Sequence, residues 1–303
     1  MIKRIWVEKY RPQKVADVIV KNDRDRQKFD SFVKDGSFPN LLLEGGPGTG
    51  KSSMSNALVK DVGIERVDVL KINCSHEKID AMRDKVITFS MTMPMGSFKV
   101  VRLEELDGIG HEAQKLLRDV IEVAERSCRF IATCNYINLI IPPLRSRFHE
   151  YQFYAPSKDE VLVRSAEILE SENVSFEIDD LEKTVAAGYP DFRKVIHLLE
   201  SNSIGGRLQI DGGGSAGDWR LGLLPLIEAG DLHGCRKLVC ETASPAELID
   251  VYRFLYQNLY RCKKLKAQDE AIVLCAQYQH QHPNARDPEL HIAALFIEIG
   301  ALL

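Results

Sequence analysis

The stretch LLLEGGPGTGKSS, residues 41–53, constrains the fold more than any other part of the chain. An apolar run ends in glycines, and Gly45-x-x-x-x-Gly50-Lys51-Ser52 follows at the spacing that wraps backbone N–H groups around phosphate oxygens. Gly45, Gly46, Gly48 and Gly50 give the turn its freedom, with Pro47 and Thr49 between them and Ser53 just beyond. Lys51 is placed to reach the β and γ phosphates of ATP. The Ser52 hydroxyl suits Mg²⁺, and the helix that follows aims its positive end at the anion. Such a loop needs a strand before it and a helix after it, so the chain is expected to be α/β.

The flanking pattern agrees. NLLLEG (40–45), VDVLKIN (67–73), FKVVRLE (98–104) and RFIATCN (129–135) read as strands. Between the last two, Ala113, Leu116, Leu117, Val120, Ile121 and Ala124 fall at helical spacing. Alternating strand and helix predicts a parallel sheet covered by helices over residues 1–155. Residues 156–204 read as a helical lid, opened by a capping box of Ser157 and Glu160 and broken at Gly188 and Pro190. Residues 205–218 hold six glycines and read as a linker. Residues 219–303 are helical again, as an all-α domain. There Ser244 and Glu247 form a capping box with Pro245 at the first helical position, and Leu248, Val251, Tyr252, Leu255, Tyr256 and Leu259 follow one face. The last helix starts at Asp287-Pro288 and is apolar almost all round, which predicts burial.

A P-loop ATPase needs one carboxylate on the metal side and another to position water, both at the end of a strand beside the loop. Glu104 and Glu105 end the third apolar run and take those roles in that order. Glu104 is one methylene longer than aspartate, and Mg²⁺ demands tight octahedral geometry, so slower turnover is expected. Arg102 sits oddly inside the same apolar run. Asn135 ends the next strand, where an amide can hold water or the γ-phosphate. Arg193 opens a lid helix and can touch the γ-phosphate from there. Arg145 and Arg147, in IPPLRSRF, have no partner evident in sequence. Arg147 is either an arginine finger acting in trans on a neighbouring subunit's ATP or a plain surface arginine.

Composition narrows the class. Forty Lys and Arg against 44 Asp and Glu give a net charge of −4, which excludes a uniformly basic DNA-coating protein but not a local basic groove. Seven cysteines at irregular spacing contain no C-x-x-C pair, so a cysteine-rich zinc module is not expected. No apolar run approaches the length of a membrane span, and MIKRIWVEKYRP has no apolar core of secretory type. A cytoplasmic location without membrane contact is expected, in a host cell if the chain is phage-encoded.

WVEKYRP, GGPGTGKSS, KVVRLEELD, RFIATCNY and IIPPLRSRF occur in an order and spacing that resembles the AAA+ sliding-clamp loaders of the replication factor C small-subunit type. KID (78–80) and PDFRK (190–194) make it similar to the large clamp-loader subunit of T-even-type phages. The resemblance runs from residue 6 to about 200; the last 85 residues match only in being helical and in length. It implies a RecA-like ATPase domain, a helical lid and a collar through which five subunits form a ring: copies of this chain and a small clamp-loader subunit. It implies a sliding clamp and primer–template DNA as partners. It places adenine against Val7, Glu8, Lys9, Tyr10, Arg11 and Pro12, with Ile19 following. Asn135 becomes sensor one, Arg193 sensor two and Arg147 the trans finger. Two departures stand out: Glu104-Glu105 replaces Asp-Glu, and Ser146-Arg147-Phe148 replaces Ser-Arg-Cys, keeping the arginine and losing the thiol.

DNA contact is expected on the helix after the second strand, through Lys78, Arg83 and Lys85. A mixed-charge solvated face is the competing reading, because Glu77, Asp80 and Asp84 balance those cations. The function implied is a DNA-stimulated ATPase that opens the clamp and loads it. The rivals are a nucleotide-switched assembly scaffold with little turnover and an AAA+ branch-migration motor.

Overall fold

The computed structural model describes residues 5–75, 79–209, 219–243 and 247–303. Lys78, the cap at Ser244 and Pro245, and the stretch 210–218 therefore lie outside the described residues. Two compact units emerge. The first runs to Val161 and takes in Pro190–Lys194; the second comprises Leu162–Tyr189 and Val195–Leu303. These divisions differ from boundaries at 155 and 204, because the lid segment is shared between the units.

In chain order the elements are α1 (Trp6–Lys9), α2 (Asp23–Asp35), β1 (Leu41–Gly45), α3 (Lys51–Asp61), β2 (Val69–Asn73), α4 (Ile79–Met91), β3 (Lys99–Glu104), α5 (His111–Ala124), β4 (Cys128–Cys134), α6 (Pro142–Arg145) and β5 (His149–Phe153). There follow α7 (Lys158–Ser171), α8 (Ile178–Gly188), α9 (Phe192–Asn202), β6 (Ser203–Ile204), β7 (Arg207–Leu208), α10 (Trp219–Ala229), α11 (Leu232–Thr242), α12 (Leu248–Asn258), α13 (Gln268–Gln281) and α14 (Pro288–Gly300).

The first unit is built on a five-stranded parallel sheet in the order β2-β3-β4-β1-β5. Both faces are covered, so the strands read as continuous apolar runs. Alternation along each strand still sorts the side chains. Leu41, Leu43, Val100 and Ile131 pack with Phe29, Met54 and Leu58 on one face. Leu42, Val101, Leu103, Phe130 and Ala132 pack with Met82, Val86, Leu117, Val120 and Ile121 on the other. The helix expected over 111–127 turns Leu117, Val120, Ile121 and Ala124 inward, while Leu116 is exposed.

Sequence patterning misses the fifth strand. HEYQF buries only Tyr151 and Phe153, and its other three residues are exposed and polar. Its register is held by Asn40, whose backbone carbonyl accepts the His149 N–H at 2.8 Å. The Asn40 side chain accepts the Phe130 N–H at 2.9 Å and donates to the Arg147 carbonyl at 3.3 Å. One buried amide thus ties β4, β5 and the turn bearing Arg147 to the start of β1.

The expected break at Gly188 and the expected start at Asp287 are both seen in the second unit. The box of Ser157 and Glu160 closes reciprocally just before the unit begins, at 2.7 and 3.2 Å. Gly205 and Gly206, at the start of the stretch read as a linker, turn a small antiparallel hairpin of β6 and β7 that buries Leu208. From Trp219 onward a single core gathers Leu223, Ile227, Val239, Val251, Leu255 and Phe296, with Ala186 of α8 against it. On α12, Leu248, Val251, Tyr252 and Leu255 are buried as expected; Tyr256 is exposed, and Phe254 points inward in its place. Asp287 caps α14 through the N–H groups of Glu289 and Leu290. That helix buries Ile292, Leu295, Phe296 and Ile299 but exposes Leu290 and Ile297 together with Glu289 and Glu298, so its outer side is mixed rather than buried.

Candidate nucleotide-binding site

The site lies where β1 and β3 end on either side of β4. Adjacent strands are ~4.8 Å apart, so the ends of β1 and β3 leave a crevice of roughly 10 Å with β4 at its centre. Crevices of this kind, beyond the carboxyl ends of parallel strands, are where such sheets take ligands. Leu43 is paired with Thr133 and Leu103 with Ala132, so the three strands run out nearly level.

The loop between β1 and α3 is tightly cradled. A side chain at Gly45 would collide with the Phe153 carbonyl, and one at Gly48, whose φ is +71°, would collide with the Asp191 carboxylate. Asp191 also caps α9, accepting the Arg193 N–H at 2.9 Å. Thr49 donates its hydroxyl to the Gly46 carbonyl at 2.9 Å. Gly50 has φ +96°, meets Val18 on its open side and starts α3.

Lys51 is 8% exposed, and its ammonium has three acceptors: the carbonyls of Gly45 and Gly46 at 2.7 and 2.8 Å and Asn135 Oδ1 at 3.0 Å. Burial, with Arg193 acting in the same direction, holds its pKa down at about 8. The nearby Cys134, Asp107 and Asp191 act the other way. Burial likewise pushes the Cys134 thiol up to about 12, with Asp107 and Glu44 adding to it. Lys51, Asn135 and Arg193 are therefore electrostatic neighbours, although their sequence positions span more than a hundred residues.

Glu105 is exposed and has the left-handed backbone conformation, φ +57° and ψ +50°. A non-glycine residue held there is strained, and strain of this kind gathers at functional positions. Its N–H donates to Thr133 Oγ1 at 3.3 Å. Glu104 turns to the α3 face of the sheet. Its carboxylate receives Arg102 Nη2 on Oε1 and Lys71 Nζ on Oε2, each at 2.9 Å. Arg102, odd in the sequence, is thereby accounted for. It is buried under α3, donating to Ser55 Oγ at 2.8 Å and to Asn56 Oδ1. Burial lowers its pKa, which Glu104 opposes and Arg11 reinforces.

Ser52 lies one helical turn before Ser55 and Asn56, and Glu104 lies two residues beyond Arg102 along β3. Both steps lead toward the phosphate loop and are of similar length, roughly 5–7 Å. Ser52 and Glu104 thus face the same region with oxygen donors, the set a hard cation such as Mg²⁺ requires.

The remaining expected residues fall elsewhere. Glu8 pairs with Arg11 at 3.3 Å, and Lys9 lies over the Tyr10 ring, both within or just after α1. Val7, Pro12 and Ile19 are partly buried in that N-terminal segment. Arg147 pairs with Glu122 of α5 at 2.8 Å, and Arg145 is bidentate to Glu150. Phe148, where the family pattern has a thiol, is buried in the core. Arg83 and Lys85 are exposed on α4, and Arg83 touches Asp84.

Three contributors escape sequence reasoning. Asp107 Oδ2 accepts the N–H groups of Asn135 and Tyr136 at 2.9 and 3.0 Å, fixing the end of β4. Asp191 seats Gly48, and Lys71 reaches Glu104 from the next strand. Asp107 and Asp191 are polar residues inside KVVRLEELD and PDFRK; Lys71 carries no signal, since strand pairing alone brings it there.

Residues 41–155 match the family model of the AAA proteins, described as ATPases associated with various cellular activities. The fold is shared with the Thermotoga maritima RuvB Holliday junction branch migration motor, with a TM-score of 0.55 and 16% identity over 80% of each chain. Loop, sheet order and family model make the first unit an AAA domain, followed by a helical region. The replication factor C small subunit of Aeropyrum pernix is 34% identical over 293 residues, 92% of this chain and 89% of that one. Those of Sulfurisphaera tokodaii and Archaeoglobus fulgidus are 38% and 39% identical, over 68% and 65% of this chain. Those two matches span 64% and 63% of the relatives' own length, under two thirds. The chain belongs to the replication factor C small subunit family.

Proposed function

We propose that this chain is an ATP-hydrolysing motor subunit of a sliding-clamp loader, and that ATP is held between the phosphate loop and the ends of β3 and β4. The observation that carries this reading is the hydrogen bond from Lys51 Nζ to Asn135 Oδ1, with strained Glu105 at the end of the strand beside Asn135. Lysine and amide meet in one crevice and Glu105 sits at the strand end bordering it, a set that suits γ-phosphate cleavage.

Lys51 exchanges the Gly45 and Gly46 carbonyls for β and γ phosphate oxygens, which restores its full charge. Asn135 then holds the attacking water or the γ-phosphate. Glu105 orients that water and takes its proton. Ser52 and, through water, Glu104 are the residues that would hold Mg²⁺, which when bound neutralises charge between the β and γ phosphates. Arg193 reaches the γ-phosphate from the start of α9. Arg147 leaves Glu122 and completes the site of the next subunit. Val7 to Pro12 and Ile19 cover adenine.

Assembly follows the family pattern: a ring of five with a clamp and primer–template DNA as partners, working in the cytoplasm. Arg83 and Lys85, with Lys78, contact DNA phosphates and so read duplex shape rather than sequence. The relatives named above are replication factor C small subunits, so a separate small-subunit partner of the T-even phage kind rests on KID and PDFRK alone. ATP binding organises the ring and holds the clamp open; DNA triggers hydrolysis and release.

A second reading, a scaffold that binds ATP but barely turns it over, is favoured by the two cations on Glu104. Steady-state ATPase with a clamp and primed DNA decides between them. Stimulation that Glu105→Gln abolishes while ATP still binds supports the motor. An unstimulated rate unchanged by Glu105→Gln overturns it in favour of the scaffold.

A further inference from the structure

Glu104 does not stand as an open carboxylate. Oε1 is held by Arg102 and Oε2 by Lys71, both at 2.9 Å. The two cations differ in kind. The Arg102 side chain is 7% exposed, and each of its three nitrogens is engaged, by Ser55, Asn56 or Glu104. Withdrawing it would leave several buried polar groups unpaired, so it stays. The Lys71 side chain is 58% exposed on the neighbouring strand and can swing into water at little cost. The β2–β3 register pairs Lys71 with Arg102 and Asn73 with Glu104, so both cations lie one step back from the carboxylate on the same face.

We infer that Lys71 and Arg102 form a cationic clamp on Glu104, in which Lys71 is the removable half and sets how much Mg²⁺ the nucleotide site requires. The inference rests on the ATP reading above and deepens it. A cation approaching Glu104 through water competes with Lys71 for Oε2 and is repelled by its charge. Lys71 is thus a positioning residue that acts through Glu104.

The test is the Mg²⁺ dependence of ATP binding, measured by calorimetry from EDTA to excess MgCl₂, on wild type, Lys71→Met and Lys71→Arg. Lys71→Met is expected to lower the half-saturating Mg²⁺ roughly threefold, the effect of releasing one exposed ion pair. Lys71→Arg keeps the charge and stays near wild type. In EDTA, Lys71→Met binds ATP no more tightly than wild type, since the clamp acts on the metal and not on the nucleotide alone. An unchanged Mg²⁺ midpoint in Lys71→Met, an equal gain in affinity with and without Mg²⁺, or Lys71→Arg behaving like Lys71→Met overturns the clamp. Wild type that binds no ATP at any Mg²⁺ concentration overturns the ATP reading instead.

Discussion

Asp107 reaches from the turn after β3 to the end of β4 and accepts the Asn135 N–H at 2.9 Å. The same carboxylate oxygen takes the Tyr136 N–H, so one side chain after β3 sets where the β4 amide points. Asp107→Ala removes two hydrogen bonds to a charged acceptor, worth about 3 kcal/mol of stability or more together. Hydrolysis is expected to fall at least about tenfold while the ATP dissociation constant changes less than roughly threefold. Stopped-flow binding and single-turnover hydrolysis separate the two. Equal losses in both would mean that Asp107 only supports the fold.

Lys51 carries a pH signature. Its pKa in the folded chain, about 8, lies below the ordinary 10.5. Between those values the unfolded chain holds a proton that the folded chain has released, so stability rises with pH across that window. Below pH 8 the cost of burying the ammonium is fully present. Lys51→Met should therefore raise stability at pH 7 by at most about 3 kcal/mol and flatten its dependence on pH between 8 and 10. ATP restores the charge, so binding at pH 8 should take up about half a proton. Urea unfolding at several pH values and calorimetry in two buffers of different ionisation enthalpy check both.

Arg147 and Glu122 form an exposed pair, and such pairs contribute about 0–1 kcal/mol. Arg147→Ala should leave the melting temperature nearly unchanged. Mixed with wild type, it should lower ATPase in proportion to its share of the subunits, because each missing finger disables one neighbouring site. A total rate that does not fall as Arg147→Ala replaces wild type would mark Arg147 as a surface arginine. Glu122→Gln frees the guanidinium and is expected to raise the rate at low subunit concentration.

Arg102 should behave in the opposite way to Arg147. Its side chain is almost wholly buried, and Arg102→Met leaves Glu104, Ser55 and Asn56 short of a partner. The expected loss is about 3–5 kcal/mol by urea unfolding. Adding Glu104→Gln should recover part of that loss, since the remaining group is then uncharged. If the double variant is no more stable than the single, the charge on Glu104 is not what Arg102 compensates.

Much of the site is legible in the sequence because its chemistry is local. A glycine loop of fixed spacing must follow a strand and precede a helix, and Gly45 to Ser52 do so. Apolar runs ending in Glu104 and Asn135 name two more strands, since burial on both faces leaves a long uninterrupted signal. HEYQF gives no such signal, being an edge strand with one apolar face. Arg102 reads as an anomaly until strand pairing and α3 supply its partners, and Lys71 is silent for the same reason. Tyr256 follows the helical period of its neighbours yet stays exposed, because periodicity finds an apolar stripe without fixing how wide the packed part of it is.

Asn40 grips the backbone of Arg147 immediately before β1 begins, and β1 closes five residues later in the glycine turn at Gly45. A strand of that length is a stiff rod of roughly 15 Å. Under the trans role proposed for Arg147, a pull on that residue would be carried along this rod to the mouth of the same protomer's phosphate cradle, without any helix having to bend.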